Sequence, residues 1–364
     1  MTSKYQPKKK RVVVAMSGGV DSSVAAALLK SRGYDVIGMT MCFSLADSPK
    51  KKPNCCGPQG INDARRIAGL LDMRHYVVNM QPHLEKYVIK DFCQEYLKGR
   101  TPNPCVRCNQ YLKFDFLLKK AQSLQAQYLA TGHYAGILKS RRGFELRKAK
   151  DKTKDQSYFL YRLNQEQLRY ALFPLADYTK QEVRKLAAKF KLPVAEKLAS
   201  QEICFLPSPD YRKFLQSRFK YEFQPGPIVD KEGNLLGQHK GIAFYTIGQR
   251  EGLGIARGYP VYIIAINPKE NKIIVGKKED AYCAEFLIRN PHFILEPARK
   301  KKIAVRVRIR YNHKEAPAQV FSRDGMLRVK FKKPQFAVTC GQSAVFYQRD
   351  KVLGGGIIDK VLKG

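Results

Sequence analysis

Ala15-Met16-Ser17-Gly18-Gly19-Val20-Asp21-Ser22-Ser23 is the stretch that decides the fold. Val12-Val13-Val14 before it is a β-branched apolar run, as in a buried strand. After it, Val20, Val24, Ala27 and Leu28 recur at helical spacing as far as Lys30. The stretch is therefore a strand–turn–helix. Gly18 and Gly19 lack a Cβ, so backbone N–H groups can approach an anion closely. The new helix directs its free N–H groups and the positive end of its dipole at the same spot. That arrangement predicts a phosphate site. It is not a Walker loop, because G-x-x-x-x-G-K-[ST] and its lysine are missing.

Working outward, Asp35–Met41 reads as a second strand and Arg74–Asn79 and Tyr128–Thr131 as further ones. Residues 61–71, 83–97 and 110–125 read as helices between them, with more helical pattern over Ser157–Leu168 and Lys180–Phe190. This alternation predicts an α/β fold, a doubly wound parallel sheet. Ligands bind such sheets beyond the carboxyl ends of the strands, where Ser17-Gly18-Gly19, Met41 and Gly132-His133 all fall. The character changes near Pro207–Asp210. Past Pro225, Gly and Pro punctuate short β-like runs, including Ala243–Ile247 and Val261–Ile266. Lys302–Arg310 alternates apolar with basic residues, which predicts a half-buried strand with one positive face. Three domains are expected: residues 1–208 as the nucleotide-binding domain, 209–280 as a small central domain, and 281–364 as an all-β barrel.

The 364 residues carry 67 Lys and Arg against 31 Asp and Glu, a net charge of +36. Charge on that scale speaks of partners rather than fold, and nucleic acid is the leading one. The start of the chain is polar and then basic, Lys8-Lys9-Lys10-Arg11, without the apolar core of a signal peptide. No apolar run approaches the ~20 residues of a membrane span. A cytoplasmic protein, without a membrane partner, is expected.

Nine cysteines, an odd number, point to thiol or metal chemistry rather than a disulfide framework. Thr101-Pro102-Asn103-Pro104-Cys105-Val106-Arg107-Cys108-Asn109 is a Pro-stiffened loop carrying C-x-x-C, with Arg107 beside the thiols to lower their pKa. Half a zinc site, a redox pair and part of an iron–sulfur site all fit that spacing. Cys204 is a third candidate, although an isolated cysteine is more often a buried hydrophobe. Cys42, Cys93, Cys283 and Cys340 take that plainer reading, and Cys55-Cys56 sit in a loop.

The glycine loop resembles the PP-loop, S-G-G-x-D-S. Enzymes that carry it grip the pyrophosphate of ATP and transfer AMP to a substrate oxygen, with Asp21 placed to hold Mg²⁺ against the phosphates. More widely, the chain resembles the tRNA-specific 2-thiouridylases, the MnmA family. The resemblance rests on A-M-S-G-G-V-D-S-S, G-R-T-P-N-P-C-x-x-C-N, A-T-G-H-Y-A, K-D-Q-S-Y-F-L-Y, I-C-F, T-I-G-Q-R-x-G-L-G, R-I-R-Y and T-C-G-Q-S-A-V-F-Y, spread over nearly the whole chain. It implies that Ala15, Met16, Ser17, Gly18, Gly19, Val20, Asp21 and Ser22, with Met41 and Gly132, bind ATP. It places Asn103, Pro104 and Cys105 against the target base. His133, Lys154, Asp155 and Gln156 would contact tRNA, as would Arg310, Tyr311 and Gln342 from the β domain. Cys204 would carry a persulfide and Cys108 would be the second catalytic thiol.

The implied substrate is the wobble uridine, position 34, of tRNAs for Lys, Glu and Gln. The implied sulfur donor is a persulfide relay protein, a cysteine desulfurase or hydrosulfide, and the implied form is a monomer. Many members of the family have Asp where this chain has Cys105, and Glu202 is not universal either. Cys105, Cys108 and Cys204 could instead hold an iron–sulfur cluster. Two other functions compete: another PP-loop adenylating ligase, which leaves the cysteines idle, and RNA binding without catalysis, which leaves the ATP loop idle.

Overall fold

A computed structural model describes residues 9–43, 58–197, 203–219, 223–296, 302–323 and 325–362. Cys55, Cys56 and Glu202 lie outside the described residues. The chain divides into two compact units, one of residues 1–87 with 106–207, the other of residues 88–105 with 208–364.

The first unit is built on parallel strands β1 (Arg11–Ala15), β2 (Asp35–Cys42), β3 (Arg74–Asn79) and β4 (Tyr128–Thr131). A hairpin follows, β5 (Ala135–Ser140) and β6 (Gly143–Lys148), and then the short β7 (Ala171–Leu172). The sheet order is β3-β2-β1-β4-β7, all parallel, with Val13 registered between Ile37 and Leu129. Val12, Val13 and Val14 are wholly buried, as a central strand covered on both faces requires. Helix Val20–Ser31 packs Val24, Ala25, Ala26 and Leu28 into one core with Val183 and Ala187 of helix Lys180–Lys189. Small side chains on the first helix let the two approach.

The expected parallel α/β sheet is thus present, with its strands where the sequence placed them. A single helix over Ser157–Leu168 is not. A 3₁₀ turn at Ser157–Leu160 gives way to a separate helix at Gln165–Tyr170. Asn164 starts that helix with a capping box: its side chain accepts from the Gln167 N–H, and Gln167 accepts from the Asn164 N–H. Asn favours caps over helix interiors, so the helical spacing was broken there.

The second unit holds two sheets. β8 (Gly226–Val229), β9 (Leu235–His239), β10 (Tyr262–Asn267) and β11 (Lys272–Gly276) form a mixed sheet in the order β10-β11-β8-β9, with β11 parallel to β8. The expected strand at Ala243–Ile247 is instead a buried 3₁₀ turn, Ile242–Phe244, which follows Gly241. A short apolar run fits either form, and periodicity cannot separate them. β12 (Tyr282–Phe293), β13 (Lys302–Arg308), β14 (Ala316–Arg323), β15 (Met326–Phe336), β16 (Ser343–Gln348) and β17 (Lys351–Leu362) run in the order β12-β15-β14-β13-β16-β17. β12 also pairs with β17, so this sheet closes into the expected barrel and leaves no open edge between them. In β13, Val305 and Val307 point inward to Phe286, Val320 and Phe346, while Arg306 faces out. Helix Lys90–Leu97 belongs to this unit, through Phe92 and Tyr96 packed on Phe214 and Tyr211.

Candidate active site

The loop between β1 and the first helix has the form an anion needs. Gly18 has φ 70°, and a Cβ on it would lie 2.2 Å from the Gly60 carbonyl oxygen, so only glycine fits. Gly19 is the N-cap and brings no side chain to the first-turn N–H groups. The hydroxyls of Ser22 and Ser23 turn back to the Gly19 carbonyl at 3.2 and 2.7 Å, and the Ser17 N–H donates to Ser22 Oγ at 3.2 Å. The turn is braced by its own serines, and the helix dipole faces the space above it. Gly132, after β4, packs on the backbone of Asp21 and Ser22: a Cβ there would stand 2.7 Å from Ser22 N. The structure therefore brings Gly132 to the loop, and Met41 lies at the carboxyl end of β2, the neighbour of β1.

Three side chains that the sequence reading missed, Lys180, Tyr134 and Lys197, lie against this loop. Asp21 Oδ1 accepts from Lys180 Nζ at 2.5 Å and from the Tyr134 hydroxyl at 2.8 Å. Burial first, then the Asp21 charge, pushes the Tyr134 pKa far up, so the phenol keeps its proton and donates. Lys197 Nζ lies 2.7 Å from Asp63 and 3.4 Å from the Gly18 carbonyl. Lys180 opens helix Lys180–Lys189, whose start is fixed by a Thr179–Glu182 capping box and by Asp151 Oδ2, which accepts from the Lys180 N–H at 2.9 Å. A signal for Lys180 was legible. Thr179-x-x-Glu182 marks a helix start, and a lysine in a first turn opposes the helix dipole. A cation at that place needs another reason.

His133 is 8% exposed. Its Nδ1 is 2.7 Å from Thr131 Oγ1 and its Nε2 is 3.4 Å from Lys113 Nζ. Burial, reinforced by the Lys113 charge, holds its pKa well below the usual imidazole range, so the ring is neutral. Asp155 is buried and accepts from the N–H groups of Ala149 and Ser157 and from the Ser157 hydroxyl. Gln156 Oε1 accepts from the Tyr134 N–H at 3.0 Å. Lys154 and Gln156 are both half-buried.

Cys108 begins a π-helical stretch, Cys108–Leu117, directly after the short helix Pro104–Arg107 that carries Cys105. Such widened turns recur at functional sites. Cys105, Cys108 and Cys204 are all half-buried. Beside Cys108, Asn109 Oδ1 and Gln110 Oε1 are buried without a hydrogen-bond partner among the described residues, a costly state that a bound donor would relieve. Among the described residues no three His, Cys, Asp or Glu are arranged to hold a metal ion.

In the second unit, Arg310 donates to the Phe336 and Ala337 carbonyls at 2.9 and 2.7 Å. The Arg308 guanidinium lies 5.8 Å from the Tyr311 ring. Gln342 donates to the Thr101 and Pro102 carbonyls.

Family models match three consecutive parts of the chain: a tRNA methyl transferase HUP domain over residues 10–208, a tRNA methyl transferase PRC-barrel domain over 212–277 and an aminomethyltransferase beta-barrel domain over 283–358. These define the class, a HUP-domain protein followed by two β domains. The tRNA-specific 2-thiouridylase MnmA 1 of Caldanaerobacter subterraneus subsp. tengcongensis is 49% identical over 97% of this chain and 99% of its own. The tRNA-specific 2-thiouridylase MnmA of Moorella thermoacetica is 48% identical over 96% and 99%. The chain belongs to the tRNA-specific 2-thiouridylase family. Among solved structures, NMN synthetase from Francisella tularensis is similar at 20% identity over 53% of this chain and 67% of that one, with a TM-score of 0.34, too distant to bear on function. Among the described residues no helix is long and apolar enough to cross a membrane.

Proposed function

We propose that this protein is an ATP-dependent tRNA-uridine 2-sulfurtransferase acting on the wobble uridine of tRNAs for Lys, Glu and Gln. The observation that carries the reading is the Gly18–Gly19 turn at a helix N-terminus, flanked by Lys180 and Asp21. It is a phosphate cradle with a cation and a carboxylate beside it. A uridine C2 oxygen leaves poorly as oxide. Attack of that oxygen on the α-phosphorus of ATP releases pyrophosphate and turns it into part of AMP, a good leaving group. The backbone N–H groups of the loop bind the phosphates, and Lys180 moves from Asp21 onto the developing negative charge. That move frees the Asp21 carboxylate for Mg²⁺.

A persulfide on Cys204 then attacks C2, and AMP departs with the oxygen. Cys108 thiolate attacks the Cys204 sulfur, which leaves the outer sulfur on the base and a Cys108–Cys204 disulfide for an external thiol to reduce. A relay protein, a desulfurase or hydrosulfide with an oxidised Cys204 would supply the persulfide. The net charge of +36 favours an RNA substrate through counterion release.

The test is direct. Unmodified tRNA for Lys, MgATP, a persulfide donor and a thiol reductant are incubated with the protein, and the nucleosides are separated. 2-Thiouridine should form only when ATP is present. Its absence, with ATP bound and a competent donor, would reject the assignment.

A further inference from the structure

The barrel unit holds the Pro-stiffened loop at several points. The Thr101 N–H donates to the Cys340 carbonyl at 2.9 Å, and its hydroxyl meets Thr246 Oγ1 at 3.2 Å. The Thr101 carbonyl accepts from Gln342 Nε2 at 3.1 Å, and the same amide reaches the Pro102 carbonyl at 3.3 Å. Every polar group of Thr101 is therefore engaged. Gly341, at φ 93°, lies against it: a Cβ there would be 2.8 Å from the Thr101 oxygen and 2.9 Å from its nitrogen. The approach that lets Gln342 reach two carbonyls is open to glycine alone. The base of this grip is itself fixed. Gly341 N–H donates to Ile358 O at 2.9 Å, and Ile358 N–H donates to Gln342 O at 2.8 Å. Arg100, next in chain to Thr101, donates to Ile358 O at 3.0 Å and to Asp359 Oδ1 at 3.1 Å, and its Nε donates to the buried Glu95 at 3.0 Å.

We infer that Gln342, seated by Gly341, is a positioning residue of the barrel that sets the pose of the Thr101–Cys105 loop. Pro102 and Pro104 fix their own φ, so a grip on Thr101 and Pro102 carries along the few bonds to Asn103, Pro104 and Cys105 with little slack. In this role the Gln342 amide acts on the reaction through the loop rather than through RNA. The consequence for catalysis rests on the proposed thiolation, in which that loop meets the target base. The grip itself does not.

Gln342→Met keeps the length and removes the donor. In the free protein, hydrogen exchange of the Thr101 amide and alkylation of the Cys105 thiol by iodoacetamide should each accelerate roughly tenfold or more, because two hydrogen bonds are lost from one point. With tRNA, kcat for thiolation should fall by a similar factor while KM for tRNA stays unchanged. Thr246→Val, nearly isosteric, should loosen the same loop by a smaller factor, and it serves if Gln342→Met does not fold. Unchanged exchange and alkylation in the folded variants, or a rise in KM for tRNA at constant kcat, would overturn the inference. If the wild-type chain thiolates no tRNA, the proposed function fails, and exchange and alkylation still decide the grip.

Discussion

Lys180→Ala should lower tRNA-dependent release of AMP and pyrophosphate by roughly a hundredfold or more, the usual cost of removing one preorganised donor from developing charge. Lys180 is side-chain buried to 16% exposure against Asp21, in a helix start whose backbone is pinned by Asp151 and a capping box. An ion pair so placed is not worth much as a surface bond. It is worth more as a cation parked beside a phosphate cradle. Loss of the lysine leaves Asp21 facing the incoming triphosphate with the Tyr134 hydroxyl on it, so like charge adds to the loss of the donor. Lys180→Arg should recover part of the rate, because charge returns with a different geometry. Thermal midpoint should shift little, and tRNA affinity should hold. Lys180→Ala with near wild-type AMP release would remove this residue from the site and return Asp21–Lys180 to the status of a structural pair.

Cys204→Ser and Cys108→Ser should each reduce 2-thiouridine formation to background, while activation continues. The route assigns the thiols only to the sulfur step, so AMP and pyrophosphate should still appear and the activated base should be lost to water. A hydroxyl cannot carry a persulfide, and serine at residue 108 cannot open one at neutral pH. The two variants differ in one readout. Cys108→Ser should trap the base as a covalent adduct on Cys204 that a thiol releases, and Cys204→Ser should trap nothing. Cys105→Ser should stay near wild type, since this route asks for two thiols and gives Cys105 no share in the sulfur step. Equal loss in all three serine variants would reject this route in favour of one that uses the thiols together.

Much of the first unit could be read from residues alone because its signals are local. Val12-Val13-Val14, Asp35–Met41, Arg74–Asn79 and Tyr128–Thr131 are short apolar runs closed by turn residues, and each is a strand of the sheet. The barrel was legible from the strict alternation at Lys302–Arg308, which β13 follows side chain by side chain. The glycine turn was legible for the same reason: its glycines, its serines and the start of its helix all lie within nine residues. What escaped was held together by distance in sequence. Lys180 reaches Asp21 across 159 positions, and Gln342 reaches Thr101 across 241, and no spacing rule connects either pair. The hairpin β5–β6 was also missed, since Ile137, Leu138, Phe144 and Leu146 are too few and too interrupted by basic residues to show an alternating face. Asp155 illustrates the converse. Its motif is prominent, but its carboxylate faces inward to Ala149 and Ser157.

The central claim is that the C2 oxygen of uridine leaves as part of AMP, and tracing that oxygen tests it most directly. A tRNA whose wobble uridine carries a heavy-oxygen label at C2 is incubated with the protein, unlabelled ATP, a persulfide donor and a thiol reductant. The AMP is then isolated and weighed by mass spectrometry. The account predicts one labelled oxygen in AMP for each 2-thiouridine formed, and none in pyrophosphate. Thiolated tRNA accompanied by unlabelled AMP would contradict it, because the phosphate cradle would then be serving some step other than activation of the base.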